Sequence, residues 1–183
     1  MNKTNLSNYS NNNFRSGNFL IKILWYLVSM IFFKSSFHLG NDFKIFLLKI
    51  FGANIGKGVV IKPCVNIKYP WNLKIGNFVW LGENIWIDNL DKVEINNHSC
   101  ISQGAMLICG NHDYSNVNFS LITKPIILNE GSWICAYAIV CPGVTIGSHA
   151  VLSAGSVATK DLEPYSIYQG NPAAKIRKRN ISQ

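Results

Sequence analysis

The sequence predicts an all-β fold, a parallel β-helix of about five coils, with an N-terminal helical segment before it and a C-terminal tail after it. Three observations predict this. A large aliphatic residue recurs every six positions as Ile55, Ile61, Ile67, then Ile75, Leu81, Ile87, then Ile95, Ile101, Leu107, and again as Leu128, Ile134, Val140, Ile146, Leu152 and Ala158. Fourteen of these fifteen are Ile, Leu or Val, types that fill 49 of the 183 positions, so chance would supply about four. The next residue is often Gly, Asn or Ser, as at Gly56, Gly76, Asn96 and Ser102. The fourth after it is mostly small or β-branched, as at Val59, Val79, Ala105, Ala138 and Ser156.

A strand of four or five residues plus a short corner makes one face of a prism. Three faces close a coil, and coils stack ~4.8 Å apart through parallel hydrogen bonds. The aliphatic residue points inward and the small residue fits the narrow corner. The elements before the repeat are helical. Residues 1–18 hold seven asparagines and read as a flexible lead-in. Residues 19–52 form an apolar helical segment. Phe19 to Phe33 suits a buried or interfacial helix and is short for a span. A second helix runs from Asp42 to about Phe51, with Asn41 or Asp42 as its cap and Gly52 as its stop. The β-helix domain occupies 53–163, with a loop inserted at 113–127 where the beat breaks, and 164–183 form the tail.

Composition narrows the function. Hydrophobic residues are 48% and charged residues only 14%, which excludes a disordered chain and a Lys/Glu-rich coiled coil. Five cysteines without a CxxC pair fit a reduced, cytoplasmic compartment. The net charge of +8 is uneven: residues 1–52 carry six basic groups against Asp42, and Lys175, Arg177, Lys178 and Arg179 cluster near the end. Such charge suits a phosphorylated small molecule, an anionic membrane or nucleic acid.

The segments FGANIGKG, PWNLKIGN, IWIDNLDKVEI, CGNHDYS, PGVTIGSHAVLSAGSVATKDL and QGNPAAKIRKR resemble the hexapeptide-repeat acyltransferases, and within them the colanic-acid-type sugar O-acetyltransferases. The resemblance spans about residues 20 to 180 and implies a left-handed β-helix. It also implies a homotrimer in the cytoplasm, with acetyl-CoA as donor and a sugar or lipid-linked sugar of surface-polysaccharide assembly as acceptor. No metal is expected, and nucleic acid falls away.

Among four histidines, His38, His98 and His149 read as packing or corner residues. His112 stands where the beat stops and a loop leaves the prism, the place where a rigid solenoid carries function. The resemblance makes it the general base that deprotonates the acceptor hydroxyl. Asp88, Asn89 and Asp91 lie about one rung away, either to bind acceptor hydroxyls and orient the imidazole or to satisfy their own turn. The resemblance assigns Ala136, Ala154, Thr159 and Lys160 to the pantetheine arm in a groove between subunits. It assigns Lys175 and Arg177 to the CoA phosphates. One departure is Ala174, where relatives have a basic residue. Trp133 could wall the groove. Cys109, three residues before His112, leaves a Cys–His acyl-enzyme conceivable. An N-acetyltransferase acting on an amino sugar and a non-catalytic scaffold are the alternatives. The apolar N-terminal segment either caps the prism or lies on a membrane with Lys22, Lys34, Lys44 and Lys49 toward lipid phosphate.

Overall fold

The computed structural model describes residues 3–11, 14, 16–35 and 40–182. His38 lies outside the described residues. From residue 54 the chain winds into a three-sided prism. The first face stacks Asn54–Ile55, Leu73–Ile75, Val93–Ile95, Ile126–Leu128 and Thr145–Ile146. The second stacks Val60–Ile61, Trp80–Leu81, Cys100–Ile101, Trp133–Ile134 and Val151–Leu152. The third stacks Asn66–Ile67, Trp86–Asp88, Met106–Ile108, Ile139–Val140 and Val157–Ala158. All these strands pair in parallel, and the aliphatic beat is in register: Ile55 on Ile75, Ile75 on Ile95, Ile95 on Leu128, Leu128 on Ile146. Five complete coils result, and a sixth begins where Leu162 bridges to Ile146.

The beat residues and the small residues are both buried, so the core is two interleaved ladders. The chain turns at the residue before each small one. Cys64, Phe78, Asn84, His98, Tyr137 and His149 stand there at φ between 56° and 58°. This left-handed region costs a non-glycine residue roughly 1–2 kcal/mol. Gly58, Gly104, Gly131, Gly143 and Gly155 fill the other corners without that cost.

A solenoid's open end leaves unpaired strand edges, which two helices cover here. Helix α1 is Phe19–Phe32 and begins where the Asn18 side chain accepts from Leu20 N. Helix α2 is Asn41–Ile50. The Trp25 indole donates to Ile67 O at 2.9 Å, and Lys44 Nζ donates to Lys62 O at 3.2 Å. The Asn41 amide donates to Val59 O and accepts from Ile61 N, both at 2.7 Å, as a peptide group of a further rung would. This use of Asn41 corrects the expected cap. Helix α2 starts from Gly40 with no side-chain cap bond, because the Asn41 amide is spent on the prism edge. Burial lowers the Lys44 pKa from the ordinary lysine value.

The tail adds two strands to the second face. Ser166–Gly170 pairs in parallel with Val151–Leu152, and Ala173–Lys178 returns antiparallel on it. The inserted segment is also regular. Gly110–His112 pairs antiparallel with Leu121–Thr123, so the excursion begins at Gly110 and is closed by its own strand pairing.

Candidate active site

His112 leaves the prism on the first strand of this hairpin, opposite Leu121. Its ring lies flat against Phe119, with centroids 4.4 Å apart and planes 8° from parallel. Its Nδ1 is 2.9 Å from Phe119 O. A carbonyl can only accept, so this contact places a ring proton on Nδ1, and in the neutral imidazole the lone pair is then on Nε2. Nε2 has no protein partner among the described residues. The half-buried ring lines a cleft of about 550 Å³ with Lys68, Tyr69, Asp88, Asn111 and residues that precede α1.

The acidic turn one rung away divides into three roles. Asp88 faces the cleft. It is 8% exposed and accepts an ion pair from Lys68 at 2.8 Å. Asn89 is fully buried and spends both ends of its amide on the backbone of Tyr69, accepting at 2.9 Å and donating at 2.5 Å. It holds Tyr69 against Trp71 and, being fully buried, presents no group to an acceptor in the cleft. Asp91 accepts from its neighbour Lys92 N at 2.7 Å and does not line the cleft.

Sequence reasoning missed the residues before α1. Asn5 N donates to Val117 O at 2.8 Å, tying the chain start to the hairpin tip. Tyr9 tilts over His112 at 5.7 Å and hydrogen-bonds Asn11. Tyr9, Asn11, Phe14 and Ser16 form one wall of the cleft. An asparagine-rich stretch without periodicity carries no sequence signal for such a wall.

Ala136 and Ala154 lie at the corner between the second and third faces, where Gly155 N donates to Ala136 O. Thr159 and Lys160 are exposed at the opposite margin of the third face. This is the margin from which the His112 hairpin departs two coils earlier, about 10 Å away along the stack. These four residues thus flank one strip of the third face. Lys175 and Arg177 do not join them. They sit on the terminal strand of the second face, in register with Tyr168 and Ile167. Lys175 is held at 2.6 Å by Glu163, which raises its pKa. Arg177 is exposed, while Arg179 is spent on the carbonyls of Gly131 and His149 at 3.1 Å.

A family model described as bacterial transferase hexapeptide (six repeats) matches residues 125–160. Over 166 residues the chain is 40% identical to "Putative colanic acid biosynthesis acetyltransferase WcaF" of Escherichia coli strain K12, covering 91% of each chain. The chain belongs to the hexapeptide-repeat acetyltransferase family. It is also 30% identical to galactoside O-acetyltransferase of Escherichia coli strain K12, covering 73% of this chain and 68% of that one. Among solved structures, galactoside acetyltransferase in complex with coenzyme A superposes with a TM-score of 0.77 at 27% identity, covering 87% of this chain and 81% of that one. A hexapeptide-repeat acetyltransferase of Vibrio cholerae complexed with acetyl coenzyme A shares the fold, with a TM-score of 0.79 at 20% identity and 88% of each chain covered.

Within this acetyltransferase Cys109 and Cys135 are poor nucleophiles. Cys109 is fully buried, and burial pushes its pKa up to about 12, leaving almost no thiolate near neutral pH. Cys135 is pushed up to about 11 for the same reason. The Cys109→Ala variant is expected to keep acetyl transfer within about threefold of the parent, because an inert buried thiol contributes packing only. A loss beyond about a hundredfold in a folded Cys109→Ala protein would revive the acyl-enzyme route. His98 stacks on Phe78 and His149 tilts against Tyr165, so both are corner residues. Trp133 is 42% exposed, and its indole donates to Ser102 Oγ at 2.9 Å. Its outer face remains open.

Proposed function

We propose that this enzyme transfers acetyl from acetyl-CoA to a sugar hydroxyl, with His112 as general base. The observation that carries the reading is the Nδ1 contact to Phe119 O beside an unpaired Nε2 in a cleft. Nε2 takes the proton from the acceptor hydroxyl as that oxygen attacks the thioester carbonyl. The new C–O bond forms, the tetrahedral intermediate collapses, and the C–S bond breaks. The imidazolium then returns its proton to the departing CoA sulfur. Asp88, oriented by Lys68, accepts a hydrogen bond from a second sugar hydroxyl in this reading.

The relatives' names support the substrate class proposed. They support a sugar acceptor and, in the nearer case, a role in colanic-acid-like polysaccharide biosynthesis; in this reading the enzyme works in the cytoplasm, where acetyl-CoA is made. The donor lies along the third face of the later coils. Ala136 and Ala154 admit the pantetheine there, and Thr159 and Lys160 line its other margin. Lys175 and Arg177 lie on another face, so a shared groove between prisms of a homotrimer is what brings Arg177 to the CoA phosphates. Lys175 is a weaker participant because Glu163 already holds it. Removal of one charged phosphate contact at such an exposed site weakens binding by about three- to tenfold. Titration calorimetry is expected to show losses of this size in CoA affinity for Lys160→Ala and Arg177→Ala, with the acceptor KM unchanged. Unaltered CoA affinity in both variants would remove them from the donor site. Failure of the parent protein to bind CoA would favour a scaffold.

A further inference from the structure

Helix α1 is as apolar on its solvent side as on its buried side. Trp25 and Ser29 face the prism. On the opposite side Leu20, Ile23, Leu24, Leu27, Met30 and Ile31 are all exposed, Leu20 to 73%. Phe46 and Ile50 of α2 extend the same surface and are also exposed. Capping the prism needs only the inner face, so the end cap does not explain the outer one.

The helix does not cross a bilayer. Its 14 residues span about 21 Å against a hydrocarbon core of about 30 Å, and no helix among the described residues is long and apolar enough to cross a membrane. Its flanks differ in chemistry. On one side Ile21 and Leu24 meet Ile50 and Trp71 around an apolar cavity of about 440 Å³. On the other, Lys22 and Lys34 line a cavity of about 490 Å³ with Ile23, Tyr26 and Trp86, and its inner end is closed by the Lys68–Asp88 ion pair. The first 52 residues carry six basic groups and a single acid.

We propose that the outer face of α1, with Phe46 and Ile50 of α2, docks the protein on an anionic lipid bilayer. Leu20, Ile23, Leu24 and Leu27 enter the acyl boundary, and Lys22 and Lys34 meet lipid phosphates. Charge complementarity selects this occupant. A second copy would bring two basic segments together, whereas an anionic surface neutralises each one. The apolar cavity beside Leu24 receives lipid chain, and the mouth of the other cavity, at Lys22 and Lys34, receives headgroup phosphate.

Vesicle flotation tests the proposal. The full-length protein is expected to float with vesicles of phosphatidylglycerol and phosphatidylethanolamine at low salt, and much less with phosphatidylcholine alone. Leu27→Glu is expected to abolish flotation. Each lysine at an anionic surface is worth roughly a fivefold change in partition, so Lys22→Gln combined with Lys34→Gln is expected to lower it about 25-fold. High salt is expected to act in the same direction. Unchanged melting temperature and CoA affinity would show that the variants are folded. Absence of flotation, or flotation indifferent to lipid charge and salt, would overturn the proposal. So would a parent assembly that Leu27→Glu splits on size exclusion, because a second copy would then cover this face.

Discussion

Replacing His112 with alanine is expected to lower acetyl transfer by about a hundred- to ten-thousandfold, the usual contribution of a positioned general base. CoA affinity and melting temperature are expected to hold. The side chain is half-buried on a surface hairpin, and the backbone pairing of Gly110–His112 with Leu121–Thr123 does not depend on it. The packing lost is the contact with Phe119 and Tyr9. Steady-state kinetics with saturating acetyl-CoA, alongside calorimetry with CoA, separate the two readouts. Turnover within a few-fold of the parent in the variant would remove His112 from the chemistry.

Truncation of Leu107 to alanine is expected to give the largest loss of stability. Leu107 is fully buried on the third face between Ile87 below and Val140 above, in direct register with both. Removing it leaves a cavity in a ladder that cannot collapse along its axis, because each neighbour is held by strand hydrogen bonds. The cost for such a site is about 2–5 kcal/mol. The chain runs from Leu107 into the hairpin that carries His112, so residual activity is expected to fall as well. Denaturant unfolding checks the magnitude. A loss below about 1 kcal/mol would mean that the third face relaxes in a way the close-packed ladder does not allow.

The prism was legible because its period is written in one residue type. Every beat position is buried, and each corner residue expected to be small lies inside. The tail read less well. QGNPAAKIRKR supplies charge, but its pairing with Ser166–Gly170 depends on the open edge of the second face. The site was legible only in part. The break in the beat pointed to His112, but three features depend on contacts between distant segments. Phe119 orients the ring from seven residues on, Lys68 orients Asp88 from the preceding coil, and Tyr9 arrives from a stretch without pattern. Asn89 shows the limit in the other direction. Its polarity and position left open an acceptor contact or a turn satisfying its own backbone, and its two hydrogen bonds, to the backbone of Tyr69 in the preceding coil, are what that polarity serves.

The most direct test compares the native surface polysaccharide from a strain carrying the parent protein with that from a strain carrying His112→Ala, by mass spectrometry before and after mild base. One base-labile acetyl group per repeat is expected in the first and none in the second. An identical acetyl pattern in both strains would contradict the assignment of His112 as the base of a sugar O-acetyltransferase.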